Sequence, residues 1–177
     1  VKYTANGTDG ASVGHGLDSA PEMILYKGIN ATGNWITLTT AIDDSADYLF
    51  LNTTAAKGDY ASNYIPTDNL FYSISSSNSL QFIAYCFHSV DGIQKVGSYT
   101  SQYPNTTHVE TGFEPAFVMI KSYNQARNWC IHDNKRKVTN SDQRQLYANL
   151  SSAEADINDQ IEFTSNGFTV KGGSNDL

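Results

Sequence analysis

The sequence of 177 residues predicts an all-β fold of two tandem, homologous β-sandwich-like modules, and three observations carry that expectation. Ser, Thr, Asn, Gly and Tyr are abundant while charged residues make up only 16%, which suits short strands and turns better than long helices, where Ala, Leu, Glu and Lys are favoured. Short apolar stretches recur with Asn, Gly and Ser between them, the pattern of a sandwich or barrel. The two halves of the chain also align with one another, and such a repeat decides architecture ahead of any local reading.

The alignment is anchored at specific residues. "KYTANGTDGASVGHGL" (2 to 17) matches "SYTSQYPNTTHVETGF" (98 to 113), with Tyr3 on Tyr99 and Gly16 on Gly112, each 96 residues apart. Pro21 then falls on Pro115, Lys27 on Lys121 and Asn34-Trp35 on Asn128-Trp129, all 94 apart. Leu49 and Asn52 meet Leu146 and Asn149, and Asn69 and Phe71 meet Asn166 and Phe168, all 97 apart.

Taken in order, each copy reads as a train of strands. Met23 to Lys27 and Phe117 to Lys121 follow a proline, which has no N–H to donate to a ladder and so marks a strand start. "NWITLTT" and "NWCIHD" come next, then "DYLFLN" and "QLYANL", then "LFYSI" and "GFTVKG". "LQFIAYCFHSV" (80 to 90) supplies a final strand to the first copy. Short helical turns are expected around Thr53 to Lys57 and Ser151 to Ala155. The modules are expected to span 1–95 and 96–177, and the counterpart of Leu80 would fall at 177. The second copy is therefore expected to lack its last strand and to leave an edge open to another chain. The chain begins at Val1, near the position matched by Gly97, which reads as processing or as part of a longer array.

Charge excludes one class of partner. Eighteen acidic against eleven basic residues give a net charge of −7, and the densest cationic cluster is Lys135, Arg136 and Lys137. A phosphate backbone would be repelled, so no nucleic-acid partner is expected. No apolar run approaches the roughly 18 residues that span a bilayer, and no signal peptide is apparent, so no membrane insertion is expected. Cys86 and Cys130 each sit in an apolar run and read as buried free thiols, with a disulfide as the alternative if their strands are neighbours, and without the spacing of a metal site.

The residues able to carry chemistry are scattered. His15 lies between Gly14 and Gly16, yet its partner in the repeat is Thr111, so it reads as a surface turn residue. His132 and Asp133 are neighbours on a strand and point to opposite faces, which prevents a dyad; no nucleophile elbow accompanies them. His88 lies in a strand-like segment and His108 in a polar loop. Asp43, Asp44 and Asp47, and "GGSND" (172 to 176), offer oxygen ligands without the ordered spacing of a calcium loop. Glu110 and Glu114 flank a turn and suggest no glycosidase pair. No catalytic residue, metal or cofactor is therefore expected, and the ligand-binding residues stay unknown at this stage. Trp35 and Trp129 read as core, whereas Tyr60, Tyr64 and Tyr103, in polar loops, are the better candidates for stacking on sugars. Sequons occur at Asn6, Asn30, Asn52, Asn105 and Asn149, an excess over chance too small to carry weight.

The progression "VGHGLDSAPEMILYK…GNW…LFLNTTAA…IAYCF…VGSYT…TGFEPAFVMIK…NW…LYANLS…IEFTSNGFTVKG" resembles a repeated β-module in structural proteins of tailed bacteriophages, notably marine and cyanobacterial phages. Asp68-Asn69-Leu70-Phe71 departs from the Ser-x-Gly-Phe that the second copy keeps. The resemblance implies a lectin-like sandwich, a place in the virion or outside the cell, and no catalytic residues. It implies a non-enzymatic tail fibre, spike or capsid decoration that assembles with other virion proteins or with copies of itself as a homo-oligomer and adheres to host surface glycans. The alternatives are a self-assembling extracellular filament or sheath subunit, and a secreted glycan-active enzyme or carbohydrate-binding module.

Overall fold

A computed structural model describes residues 1–136, 144–156 and 160–171. The fold is all-β with antiparallel pairing throughout, and among the described residues the remaining regular element is one 3-10 turn at Ser62–Tyr64. The expected helical turns do not form. The Thr53 hydroxyl accepts the Ala55 N–H at 3.3 Å, a local bond that competes with helix. At the other site, Ala155 pairs instead with Gln145 across a hairpin.

Contacts group the chain into two compact units, Val1–Leu51 with Lys57–Ser89, and Asn52–Ala56 with Val90–Leu177. The first contains β1 (Lys2–Thr4), β2 (Ser12–Gly14), β3 (Met23–Gly28), β4 (Ile36–Thr39), β5 (Asp47–Phe50), β6 (Gly58–Asp59), β7 (Leu70–Tyr72) and β8 (Gln81–Phe87). Its large sheet runs β1-β8-β3-β4-β5-β6, and β2 pairs with β7 in a small one. Alternation along β3 turns Ile24 and Tyr26 inward, where they meet Leu38, Ala84 and, from the small sheet, Phe71. Phe71 is fully buried and takes Tyr3 and Tyr26 edge-on, each at 5.7 Å between centroids. Burying a side chain of this size is worth about 1.5–3 kcal/mol.

The second unit contains β9 (Thr107–Glu110), β10 (Phe117–Lys121), β11 (Trp129–Asp133), β12 (Arg144–Tyr147), β13 (Ala155–Asp156), β14 (Ile161–Thr164) and β15 (Gly167–Val170). Its sheets run β10-β11-β12-β13 and β14-β15-β9. Val118 and Ile120 of β10 pack on Ile161, Phe168 and Val170, with Tyr99 at the margin. Tyr99 meets Phe168 edge-on at 6.3 Å, as Tyr3 meets Phe71.

Pairing registers in the two units are related by the same offsets as the sequence anchors. Met23↔Thr39 and Phe117↔Asp133 differ by 94 at both ends. Ile36↔Phe50 and Cys130↔Tyr147 differ by 94 and 97. Asp47↔Asp59 and Arg144↔Asp156 differ by 97 at both ends. Gly14↔Leu70 and Glu110↔Gly167 differ by 96 and 97. A one-residue slip would turn every side chain to the wrong face, so coincident registers mean coincident inside and outside.

Two of these pairs show compensation. Gly58 faces Tyr48, and a Cβ on Gly58 would lie 2.5 Å from the Tyr48 ring; the matching pair is Gln145 with Ala155, where no ring needs room. The pair joining β2 to β7 has its glycine on β2, whereas the pair joining β9 to β15 has it on β15. A Cβ on Gly167 would sit 2.0 Å from the Val109 carbonyl oxygen, which is backbone and cannot swing aside. Gly167→Ala is expected to destabilise the second unit by about 2 kcal/mol through this overlap. The test is the urea midpoint of that unit, and a loss below about 0.5 kcal/mol, the range of an ordinary surface change, would contradict it.

Candidate functional site

The repeated stretch from Gly16 to Lys27, with its copy from Gly112 to Lys121, resolves into backbone tasks. Gly16 and Gly112 adopt φ of +75° and +87° with open space around them, so conformation, not crowding, asks for glycine. Pro21 and Pro115 are buried at the start of the following strand. The Lys27 ammonium donates to the Gly33 carbonyl at 2.6 Å; that of Lys121 donates to the Ser122 and Gln125 carbonyls at 2.7 and 3.2 Å. Each lysine thus ties down the turn that follows its own strand. The recurring Asn-Trp and Asn are explained in the second unit, where Asn149 Oδ1 accepts the Trp129 N–H at 2.8 Å and Asn149 Nδ2 donates to Asn128 Oδ1 at 2.9 Å.

His15 is buried rather than a surface residue, with 9% exposure. Its Nδ1 accepts the Leu17 N–H at 3.0 Å, which places the proton on Nε2, and that nitrogen donates to the Thr67 carbonyl at 3.0 Å. A ring engaged at both nitrogens holds the glycine turn against the loop before β7. His88 faces Asp18 at 3.2 Å, and His108 lies on β9 with its residue exposed. His132 is fully buried, and neither ring nitrogen has a partner among the described residues. Burial first, and the Arg136 charge second, push its pKa down to about 4. Asp133 turns away to the Arg136 guanidinium at 2.5 Å, so the neighbours form no dyad.

The acidic cluster holds a lysine. The Lys57 ammonium stands 2.5 Å from Asp47, 2.7 Å from Asp59 and 3.6 Å from Asp43, and hydrogen bonds to Asp47 and Asp59 raise its pKa further. Burial raises the Asp47 carboxyl against the pull of this ammonium. Shifted by 97, the positions of Asp47, Lys57 and Asp59 become Arg144, Glu154 and Asp156, where Arg144 meets Asp156 at 2.8 Å and Glu154 at 3.6 Å. Two of three charges are inverted and the pairing survives. Among the described residues no group of three or more His, Cys, Asp or Glu is placed to hold a metal ion. The "GGSND" stretch lies outside the described residues.

Both cysteines are free; burial raises the Cys86 thiol, and Cys130 is fully buried. A shallow groove of about 240 Å³ in the first unit is lined by residues including Tyr3, Asn6, Ser12 and Ser73, and it presents no carboxylate, imidazole, thiol or cationic side chain. The Tyr3 hydroxyl there is pushed up to about 12 by burial. Of the sequon residues, Asn30 donates to Ser79 and accepts the Gln81 N–H, and Asn149 holds the bonds described above, so both amides serve the fold.

The tyrosines sort differently from expectation. Tyr64 belongs to the core and Tyr60 packs against it, their rings stacked at 4.9 Å, because the 3-10 turn at Ser62–Tyr64 carries Tyr64 inward. Tyr103 alone of the three is open, at 72% exposure. Trp129 is core, as expected, but Trp35 is only half-buried. It stacks beside Tyr85 at 6.4 Å with 23° between the planes, and the Lys27 ammonium lies 6.0 Å from the Trp35 ring. Tyr85 on β8 is 45% exposed. Alternation puts Tyr85 and Lys27 on the face opposite the core, with Trp35 at the start of the adjoining strand. Two nearly parallel rings beside an ammonium form the surface feature best suited to a sugar, since ring faces pack on C–H groups and the cation attracts hydroxyl or carboxylate oxygens. Sequence reasoning missed it because the recurrence of Trp pointed to the core. The usable signal was Tyr85, an aromatic at an outward position of "QFIAYCF".

Antiparallel sheets throughout define an all-β chain of two compact units, and the residues that recur at fixed offsets take up tasks of backbone support. The model of a family described as a domain of unknown function, DUF7483, matches residues 1–177, and the chain belongs to that family. No curated protein and no solved structure matches it.

Proposed function

We propose that the chain is a non-enzymatic structural component of a virion, a tail fibre, spike or capsid decoration, whose two units are homologous sandwich modules and which adheres to host surface glycans outside the cell. The observation that carries the adhesive part is the Trp35–Tyr85 pair with its neighbouring Lys27, a half-exposed stacking surface on a sheet face. The modular part is supported by registers that coincide under the sequence offsets. Weak sugar contacts of this kind become useful when several copies act together, which fits a homo-oligomer or a larger assembly.

Aromatic contacts are worth about 0.5–1.5 kcal/mol each. Tyr85→Ala is therefore expected to weaken adhesion to whole cells or envelope polysaccharide up to about tenfold per site, with an unchanged circular dichroism spectrum. Ile93→Ala, in a turn and equally open at 73% exposure, serves as the control, while Tyr103→Ala tests the remaining open tyrosine separately. Equal adhesion by wild type and Tyr85→Ala would remove the pair from the reading, and turnover of a glycan would overturn the non-enzymatic assignment. A second reading, a filament or sheath subunit, draws on one observation: among the described residues β10 pairs with β11 alone.

A further inference from the structure

The edge of β10 has a counterpart that is occupied. In the first unit β3 is flanked by β4 on one side and β8 on the other, with pairs running from Met23↔Phe87 to Gly28↔Phe82. β10 occupies the place of β3, since its hairpin with β11 keeps the same register under a shift of 94 at both ends. Asn134 N–H donates to the Ala116 carbonyl at 3.1 Å, so even-numbered residues of β10 bond to β11. The N–H and C=O groups of Phe117 and Met119 therefore point to the other side, where no strand lies among the described residues.

Exposure agrees with an uncovered edge. Ile24 and Tyr26 are 0% and 1% exposed, whereas their equivalents Val118 and Ile120 keep 8% and 7%, and Phe117 reaches 57%. A strand here would extend a ladder already in place and complete the cover of Val118 and Ile120.

We propose that β10 is a strand-acceptor edge whose occupant is an antiparallel strand of the β8 pattern, donated by another module of this family. The β3–β8 pairing defines its chemistry: small or slender apolar residues facing the core opposite Val118 and Ile120, as Cys86 and Ala84 lie opposite Ile24 and Tyr26, and large residues outward opposite Phe117 and Met119, as Phe87 and Tyr85 lie opposite Met23 and Leu25. Main-chain bonds supply the attachment and the alternating side chains its register. The inference stands apart from the glycan reading: a chain that takes up the strand yet ignores cells loses its adhesive role and keeps its acceptor edge.

The test uses the full chain and a labelled peptide of residues 79–90 with Cys86→Ser. Saturable binding is expected, with hydrogen exchange at the Phe117 and Met119 amides slowed at least about tenfold and the β4–β5 amides unchanged. A peptide carrying Tyr85→Pro, which lacks a ladder N–H, is expected not to bind. In the chain, Met119→Pro removes an outward N–H while sparing the β11 bonds and is expected to abolish uptake. No saturable binding, equal binding of the Tyr85→Pro peptide, or protection confined to β3, where the peptide would be displacing the chain's own β8, would each overturn the proposal. So would self-association through Phe117 and Met119 that the peptide does not compete away.

Discussion

Lys57→Met is expected to destabilise the first unit by about 2–3 kcal/mol, under the roughly 3–5 kcal/mol of a fully buried pair because the Lys57 side chain keeps 23% exposure. The size follows from Asp47, whose side chain has 0% exposure and receives the Lys57 ammonium at 2.5 Å. Its second oxygen, Oδ2, has no hydrogen-bond partner among the described residues. Deleting the ammonium leaves a carboxylate out of water beside the Ser45 hydroxyl at 3.4 Å and the like-charged Asp59, a charge that must be protonated or exposed for the unit to stay folded. Asp43 and Asp59 contribute little, being half-exposed or more and screened by solvent. The double variant Asp47→Asn with Lys57→Met is expected to recover most of the loss, because the penalty belongs to the stranded charge and not to the missing attraction. Urea unfolding of the single and double variants reads both. A single-variant loss under about 1 kcal/mol would show that water reaches Asp47 after all.

The inverted charges of the second unit make the same point from the other side. At Arg144, Glu154 and Asp156 the cation sits on the strand and the anions face it, so what the hairpin requires is opposite charge across β12 and β13, not a particular residue. Comparing residue types alone would score these positions as unrelated. Taken as pairs, the offset-related positions both carry an ion pair across a hairpin.

That contrast explains what the sequence could and could not show. The turn glycines, the prolines, Lys27 with Lys121, and the Asn-Trp and Asn positions recur at fixed offsets, and the structure gives several of them local tasks: a positive φ, a lysine reaching its own turn, a side-chain amide bonded to a nearby strand. Tasks set by the chain's immediate neighbourhood leave the same residue in both copies and are legible as a repeat. Long-range partners are not. His15 reads as a loose surface turn until Thr67, distant in sequence, closes on its Nε2. Tyr64 reads as a polar-loop aromatic until the 3-10 turn carries it into the core. The Asp43–Asp47 cluster reads as unordered oxygen ligands until the pairing of β5 with β6 brings the preceding Lys57 across. The Trp35–Tyr85 surface was hidden for a related reason: one member repeats, at Trp129, and is core there, while the residue that makes it a surface feature sits on β8, which has no counterpart among the described strands of the second unit.

His132 extends this reasoning to a second large effect, a loss of stability of the second unit in mild acid. Its ring is fully buried at the position matched in the first unit by Leu38, and neither nitrogen is bonded among the described residues. Burial and the Arg136 charge hold its folded pKa at about 4, below the ordinary 6.5. The folded state therefore refuses a proton that the unfolded chain accepts. Stability is complete above pH 6.5 and falls as pH drops from 6.5 towards 4, by about 3 kcal/mol in total. Asp133 does not blur this window: burial raises its carboxyl, but the Arg136 guanidinium and the Lys135 and Arg136 amides bring the net pKa below 3.8, so its contribution is lost only in stronger acid. Unfolding is followed by Trp129 fluorescence in a Trp35→Phe background, which isolates the second unit because the chain has two tryptophans. His132→Leu, the residue the first unit already uses, is expected to flatten the stability profile between pH 6.5 and 4 while remaining folded at pH 7. A profile whose slope survives that substitution would assign the acid sensitivity to another group and leave His132 a neutral core residue throughout.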